Sequence, residues 1–217
     1  MFALRLLLAF TLSTPFVAAA QTPAPFAREI QTFAESDARA MPAPGGVLFL
    51  GSSSIRMWTD LAKDFPGLNV INRGFGGSQI ADSLRYADRL AIRYKPRTIV
   101  FYAGDNDIEA GKTPRQVLAD YRALVAKVHA RLPRTRIYFV SIKPSISRWG
   151  KIAEIREANR LVKAFTATDK RLGYVDVMTP MLGPDGMPRP ELYLGDGLHM
   201  TRAGYDIWRE RVAAVLR

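Results

Sequence analysis

The sequence predicts one α/β domain of three layers, in which helices cover both faces of a central parallel sheet of about five strands. Short apolar runs alternate with longer amphipathic segments along the chain. A run such as TIVFY (98–102) is apolar throughout, which is typical of strands buried on both faces of a parallel sheet. Clusters rich in Gly and Pro separate these runs from the helical segments, as expected where chains turn.

The elements follow in strict alternation. Helical spacing of apolar residues predicts helices over 26–39, near 54–64, and over 80–94, 113–131, 151–172 and 200–217. The apolar runs predict strands over 47–50, 68–71, 98–102, 136–142 and 174–177. Pro114 suits the first turn of its helix, and Pro96 ends the helix before it. No repeat or linker interrupts this order, so residues 21–217 are expected to form a single domain.

The first twenty residues have the layout of a secretory signal peptide. Arg5 is their only charge, an apolar stretch follows, and three alanines end it, which predicts cleavage between Ala20 and Gln21. A membrane anchor is the alternative, but the stretch is short and carries Pro15, so a spanning helix fits poorly. The chain has no Cys, which excludes a lipid-anchored lipoprotein and a disulfide framework. We expect a bacterial protein exported to the periplasm or beyond, without stable membrane insertion.

The chain is strongly basic, with a formal net charge of +11. Lys and Arg are spread over several predicted helices and form no block, which favours a solvated basic surface over nucleic-acid binding. Attraction to an anionic surface or polymer stays open. With two His and no Cys, the chain cannot form an ordinary zinc site, and no metal or cofactor is expected.

Four polar clusters follow predicted strands or lie in the last long loop. They are GSSS (51–54), NRGFGG (72–77), GDND (104–107) and DGLH (196–199). Ligands of open α/β sheets bind at the carboxyl ends of the strands, where these clusters are expected to meet. Each cluster alone is explained by helix capping or a tight turn. Their coincidence at one edge predicts a functional site.

The residue types in these clusters suit serine-based hydrolysis. A Ser hydroxyl at a helix N-terminus is a weak nucleophile until a base takes its proton, and His is the base poised near neutral pH. His129 lies mid-helix among cations and is expected to be solvated. His199 follows Asp196 by three residues, a spacing that lets the carboxylate orient the imidazole. Glycines of 72–77 and the Asn106 amide can offer N–H groups to an oxyanion.

The first cluster resembles the leading block of the SGNH, or GDSL-like, hydrolase superfamily. GSSS stands where the family has Gly-Asp-Ser-Leu, and Trp58 matches a tryptophan often found downstream. This register implies that Ser53 is the nucleophile. Ser52 stands where the family has Asp, a departure that we expect to affect local hydrogen bonding more than activity. Ser52 and Ser54 leave open which hydroxyl attacks.

The other clusters resemble the remaining blocks of this superfamily, in the family's order. NRGFGG implies Gly77 as the oxyanion glycine, and GDND resembles Gly-x-Asn-Asp and implies Asn106. DGLH resembles Asp-x-x-His and implies Asp196 and His199. The resemblance therefore implies a triad of Ser53, Asp196 and His199, an oxyanion hole made by Ser53, Gly77 and Asn106, and a flavodoxin-like sheet.

The activity implied by the resemblance is an exported carboxylic-ester hydrolase that works through an acyl-enzyme. The loops are short and polar, so we expect acetyl to butyryl esters, with a small molecule or a glycan as the alcohol. Arg148, Trp149 and Arg189, if they border the cleft, favour an anionic or sugar-like alcohol. The oligomeric state stays open.

Three other classes of protein are alternatives to a short-chain esterase. A lysophospholipase or thioesterase would act on longer acyl chains through the same residues. The α/β-hydrolase fold needs a G-x-S-x-G elbow, but Ile55 stands two residues after Ser53. A non-catalytic carbohydrate-binding or envelope protein would be expected to have lost part of the site, and here all four elements are present.

Overall fold

The computed structural model describes residues 25–216, which form a central sheet of five parallel strands with helices on both faces. The strands are β1 (Val47–Gly51), β2 (Val70–Gly74), β3 (Thr98–Tyr102), β4 (Arg136–Val140) and β5 (Leu172–Val175). Their spatial order is β2-β1-β3-β4-β5. This is the flavodoxin-like order, in which the ligand crevice opens where the chain direction across the sheet reverses, between β1 and β3. The predicted fold class is confirmed.

The helices divide into two layers with separate apolar cores. They are α1 (Ala27–Arg39), α2 (Ser53–Arg56), α3 (Leu61–Asp64), α4 (Ile80–Arg85), α5 (Ala87–Leu90), α6 (Asp105–Glu109), α7 (Pro114–Arg131), α8 (Ile152–Thr166) and α9 (Arg202–Leu216). One core joins α1, α4, α5, α7 and α8 to the sheet, and the other joins α2, α3 and α9 to the opposite face. In β1, Leu48 and Leu50 enter the first core, while Val47 and Phe49 enter the second. Both faces of this strand are covered, which explains its unbroken apolar run.

Two predicted helices are broken by buried aromatic residues. The helix expected near 54–64 is two short helices, because the turn between them lets Trp58 pack into the core and donate to Asp64 at 2.6 Å. The helix expected over 80–94 ends at Arg85, resumes as α5, and finishes as a 3₁₀ turn. There the buried Tyr94 donates its hydroxyl to Asp37 on α1. Tertiary contacts override helical spacing at both places.

The limits of β2 and β5 differ from the predicted ones, and in both places polar side chains have partners in the fold. β2 was expected over 68–71 but extends to Gly74, because Arg73 pairs with the buried carboxylate of Asp37 instead of facing water. β5 begins at Leu172 rather than Tyr174. The preceding helix ends at Thr166, and Asp169 accepts the N–H of Arg171 in the turn that follows.

Across residues 25–216 the structure contains no helix with the length and apolar character needed to cross a membrane. The predicted signal peptide lies outside the described residues and stays a prediction.

Candidate active site

The four polar clusters meet at the carboxyl edge of the sheet, as the sequence predicts. Gly51 makes this meeting possible, because its φ of +145° is costly for other residues. A Cβ atom there would lie 1.8 Å from the carbonyl oxygen of Tyr102, at the end of the neighbouring strand. The chain then turns, Ser52 donates its N–H to that same carbonyl, and Ser53 becomes the first residue of α2.

The side chains of Ser53, His199 and Asp196 form a continuous hydrogen-bonded chain. The Ser53 Oγ lies 2.9 Å from His199 Nε2, and His199 Nδ1 lies 2.6 Å from Asp196 Oδ2. Because a carboxylate only accepts, Nδ1 carries the proton in the neutral imidazole, which leaves Nε2 free to accept from the serine hydroxyl. This arrangement can move a proton from Ser53 to His199 and hold the resulting positive charge beside Asp196.

Asp196 is held as a carboxylate although its side chain is about half exposed. Its hydrogen bond to the His199 ring, and then those from the Leu198 and His199 N–H groups, lower its pKa from 3.8 to about 2. Asp196 is therefore ionised at any pH where the neutral His199 can act as a base.

Backbone contacts fix the loop that carries Asp196 and His199. Leu194 donates its N–H to the carbonyl of His199 at 2.7 Å, and the Tyr193 hydroxyl donates to the carbonyl of Pro144 at 2.7 Å. The carbonyl of Gly197 accepts the N–H of Ile146 at 2.9 Å. The loop is thus pinned to the segment that follows β4.

Asn106 lies on α6, directly after β3. The helix begins after Gly104, whose φ of +118° allows the sharp turn out of the strand. The Asn106 Nδ2 donates to the carbonyl of Ser78 at 3.0 Å, and its Oδ1 accepts from Arg148 Nη2 at 3.0 Å. One N–H of the Asn106 amide is left without a partner by these two bonds.

Gly77 lies next to Ser78 and has open space where a side chain would be. Its φ is +74°, and a Cβ there would meet nothing within 4 Å. Within residues 25–216, neither the Ser53 N–H nor the Gly77 N–H donates to an acceptor. Together with the amide of Asn106, these groups can donate to a negatively charged oxygen.

The structure also shows a supporting residue that the sequence analysis did not single out. Asp107 is fully buried, accepts the N–H of Ile80 at the start of α4, and pairs with Lys112 at 2.9 Å. Burial, as the largest influence, raises the pKa of its carboxyl group. Asp107 therefore ties the cluster after β2 to the cluster after β3. Its place in Gly-x-Asn-Asp was the available signal.

The other serines of the first cluster and the second histidine lie outside the hydrogen-bonded chain of Ser53, His199 and Asp196. Ser52 Oγ is buried and has no partner within the described chain, and the Ser54 carbonyl accepts the Tyr205 hydroxyl at 2.9 Å. Ser53 is the serine of this cluster whose hydroxyl reaches His199. The expectation that His129 is solvated was wrong. It is partly buried, and its Nε2 lies 3.0 Å from the carbonyl of Thr135, because the helix end packs against that turn.

Of the two arginines expected at the cleft, Arg148 contacts a site residue and Arg189 does not. Arg148 reaches Asn106, as described above, whereas Arg189 pairs with Glu191 and donates to the carbonyl of Pro180, inside the long loop before Asp196. Within residues 25–216, no group of three or more His, Asp or Glu side chains is arranged to hold a metal ion.

Comparison with known proteins gives a consistent result. Residues 46–207 match the model of the GDSL-like lipase/acylhydrolase family. The chain is 27% identical over 168 residues to the human platelet-activating factor acetylhydrolase IB subunit alpha1, a match that covers 73% of this chain and 70% of the relative.

Solved structures show the same fold. A GDSL-like lipase from Bacteroides thetaiotaomicron superposes with a TM-score of 0.74 at 20% identity, covering 86% of this chain and 96% of that one. A carbohydrate esterase family 3 structure from Talaromyces cellulolyticus gives 0.62 at 16% identity, covering 79% of this chain and 96% of the other.

The parallel sheet and the four clusters at its carboxyl edge define a hydrolase of the SGNH class. The family match covers most of the chain, so the chain belongs to the GDSL-like lipase/acylhydrolase family. It is a carboxylic-ester hydrolase. The resemblance noted in the sequence is confirmed.

Proposed function

We propose that the protein is an exported serine esterase that removes short acyl groups from small-molecule or glycan alcohols. Ser53 is the nucleophile, His199 the general base and then acid, and Asp196 the residue that orients His199. The observation that carries this proposal is the continuous chain from Ser53 Oγ to His199 Nε2 at 2.9 Å and from His199 Nδ1 to Asp196 at 2.6 Å.

Acylation begins when Ser53 Oγ attacks the carbonyl carbon of the ester and His199 Nε2 takes the hydroxyl proton. The carbonyl oxygen becomes an oxyanion, which accepts hydrogen bonds from the N–H groups of Ser53 and Gly77 and from the amide of Asn106. Collapse of this intermediate breaks the bond to the alcohol oxygen, and His199 gives that oxygen its proton. The acyl group stays on Ser53 as an ester.

Deacylation repeats these steps with water. His199 takes a proton from a water molecule as the water oxygen attacks the acyl carbon, and the same donors hold the second oxyanion. The bond to Ser53 Oγ then breaks, His199 returns the proton to that oxygen, and the carboxylic acid leaves.

Two observations support a short acyl group. The curated relative described above is an acetylhydrolase by name, which favours acetyl esters for this chain as well. The turns that carry Ser53, Gly77 and Asn106 are short and polar, and a shallow site would leave the methylenes of a long chain in water, where they contribute little binding.

Export is proposed from the first twenty residues. Protein produced with its full sequence in a Gram-negative host is expected in the periplasm, with an N-terminus at Gln21. Recovery from the cytoplasm with the N-terminus still at Met1 would contradict this part of the proposal.

Hydrolysis of 4-nitrophenyl acetate tests the activity itself. The wild type should turn over, and Ser53→Ala should lose several orders of magnitude in kcat because a triad fails when one member is removed. Ser54→Ala, which removes a neighbouring hydroxyl, is the matched control and should keep most of the activity. A folded wild type without activity on any ester would favour the non-catalytic binding protein instead.

A further inference from the structure

Arg148 donates to the side chain of Asn106, and the proposed mechanism gives it no role. It lies forty-two positions after Asn106, in the segment between β4 and α8. Its side chain is 14% exposed, and its Nη1 atom is buried. A guanidinium with this little exposure, beside the amide that is proposed to hold the oxyanion, needs an explanation.

The contacts of Asn106 require one orientation of its amide. The Ser78 carbonyl can only accept, so the atom 3.0 Å away must be the Asn106 Nδ2. The Arg148 guanidinium can only donate, so the atom facing its Nη2 at 3.0 Å must be the Asn106 Oδ1. The two partners agree, and together they leave a single N–H of Asn106 available to a ligand.

Arg148 is itself held in place by acidic residues of α6. Its Nη1 lies 3.2 Å from Asp105 Oδ2, and its Nε lies 3.8 Å from Glu109. Asp105 is 4% exposed, and its other oxygen accepts the backbone N–H of Asn106 at 3.0 Å. Asp105 therefore fixes both the backbone of Asn106 and the cation that holds its side chain.

We propose that Arg148 is a positioning residue for the oxyanion hole, which acts by holding the Asn106 amide through its Oδ1 atom. A hydrogen bond from a cation to the amide oxygen draws electrons from the amide and makes its free N–H a stronger donor. This role rests on the proposed function of Asn106.

The expected effect falls on the chemical step. Loss of one oxyanion donor costs about 10²–10³ in kcat, and loss of the residue that orients that donor should cost less. Arg148→Met, which keeps an apolar stem without charge or donors, should lower kcat for 4-nitrophenyl acetate by about 10–100-fold with KM changed by less than about threefold. Arg148→Lys keeps the charge with a different geometry and should fall between the wild type and Arg148→Met.

A double-mutant cycle separates positioning from a general structural role. If Arg148 acts through Asn106, Arg148→Met should cost less than about twofold in kcat when it is added to Asn106→Ala. The matched control is Arg160→Met on α8, which also removes an arginine from a carboxylate partner, here Glu157 at 2.7 Å. This control should leave kcat unchanged.

Three results would overturn the proposal. They are unchanged kcat in Arg148→Met, an effect confined to KM, which would indicate contact with substrate, and an undiminished effect in the Asn106→Ala background. Near-UV circular dichroism checks that each variant is folded. If Arg148→Met does not fold, the same cycle is run with Arg148→Lys, and the same criteria apply. Loss of activity in Ser53→Ala but not in Arg148→Met would defeat this inference alone, whereas activity retained in Ser53→Ala would defeat the proposed function.

Discussion

Asp196 acts on His199 through both of its oxygens. One oxygen accepts from the ring and the other from the backbone N–H groups of Leu198 and His199, so the carboxylate fixes the ring and its own position together. Such an orienting carboxylate contributes to the rate without touching the substrate.

Asp196→Asn should therefore keep the fold and lose about two to four orders of magnitude in kcat, because the amide favours the wrong tautomer of His199. In the wild type, activity should fall in acid because only a neutral imidazole can take the proton of Ser53. The Asp196 carboxylate stays charged well below neutral pH, since its pKa is lowered to about 2. A pH profile of kcat/KM for both proteins measures this. Full activity in a folded Asp196→Asn protein would show that another group orients the base.

Lys143 is a buried cation without a hydrogen-bond partner for its Nζ in the described chain. Burial, as the largest influence, and the positive charge of Arg148 lower its pKa from 10.5 to about 8, and the nearby carboxylate of Asp105 offsets only part of this shift. Below about pH 8 both the folded and the unfolded protein hold the proton, and folding bears the full cost of burying the charge. Between pH 8 and 10.5 only the unfolded chain is protonated, so the free energy of unfolding rises with pH.

Lys143→Met should remove this cost. At pH 7 the variant should be more stable than the wild type, by an amount on the order of 1–3 kcal/mol, and the difference should shrink toward pH 10. Urea unfolding at both values measures it. A variant less stable than the wild type at pH 7 would mean that the ammonium has a partner that the described contacts do not include.

The sequence predicts the positions of some site residues but not of others. Ser53, Asn106, Asp196 and His199 lie in short blocks with fixed spacing, and the geometry brings each to the expected edge of the sheet. Arg148 follows no such spacing, because its contact with Asn106 depends on where the chain after β4 folds back. Lys143 could not be predicted either, since lysines are rarely buried without a pair.

At the scale of elements, the end of β2 and the turn that follows it show two different needs for glycine. A Cβ at Gly74 would lie 2.2 Å from the backbone nitrogen of Arg56 on α2, so no side chain fits without moving that helix. Gly77 has open space but a φ of +74°, so a side chain there is strained without a clash.

Two alanine substitutions should separate these needs. Gly74→Ala should lower the melting temperature strongly, because rigid backbone blocks the methyl group. Gly77→Ala should cost only about 1 kcal/mol of stability but should reduce kcat, since the strain moves the N–H proposed to hold the oxyanion. Thermal unfolding and kcat measured on both proteins test this. A fully active Gly77→Ala variant would remove Gly77 from the oxyanion hole.

The strands and their order along the chain could be predicted from apolar runs, but the limits of several helices could not. Helical spacing continues through Trp58 and Tyr86, yet Trp58 packs against Trp208 and Tyr86 donates to the carbonyl of Pro25, and a helix ends just before each of them. The signals for these breaks are tertiary, so a local pattern does not contain them.

At the scale of the whole molecule, we expect the arrangement of the loops to set the preferred substrate. Short turns carry Ser53, Gly77 and Asn106, and the exposed apolar side chains around the loop of His199 include Ile146 and Leu194. We expect kcat/KM to be highest for acetyl to butyryl 4-nitrophenyl esters and to fall beyond about eight carbons, where added length brings no further binding. A series from acetyl to palmitoyl, kept below micelle formation, measures this. A maximum at lauroyl or longer would assign the protein to the lysophospholipase or thioesterase side of its family.

The central claim is that Ser53 is the nucleophile, activated by His199. Labelling with a fluorophosphonate, followed by peptide mapping, tests it most directly because the reagent bonds to the serine that attacks. We predict one adduct, on Ser53, in the wild type, and strongly slowed labelling in His199→Ala. An adduct on Ser52 or Ser54, or labelling at full rate without His199, would contradict the account.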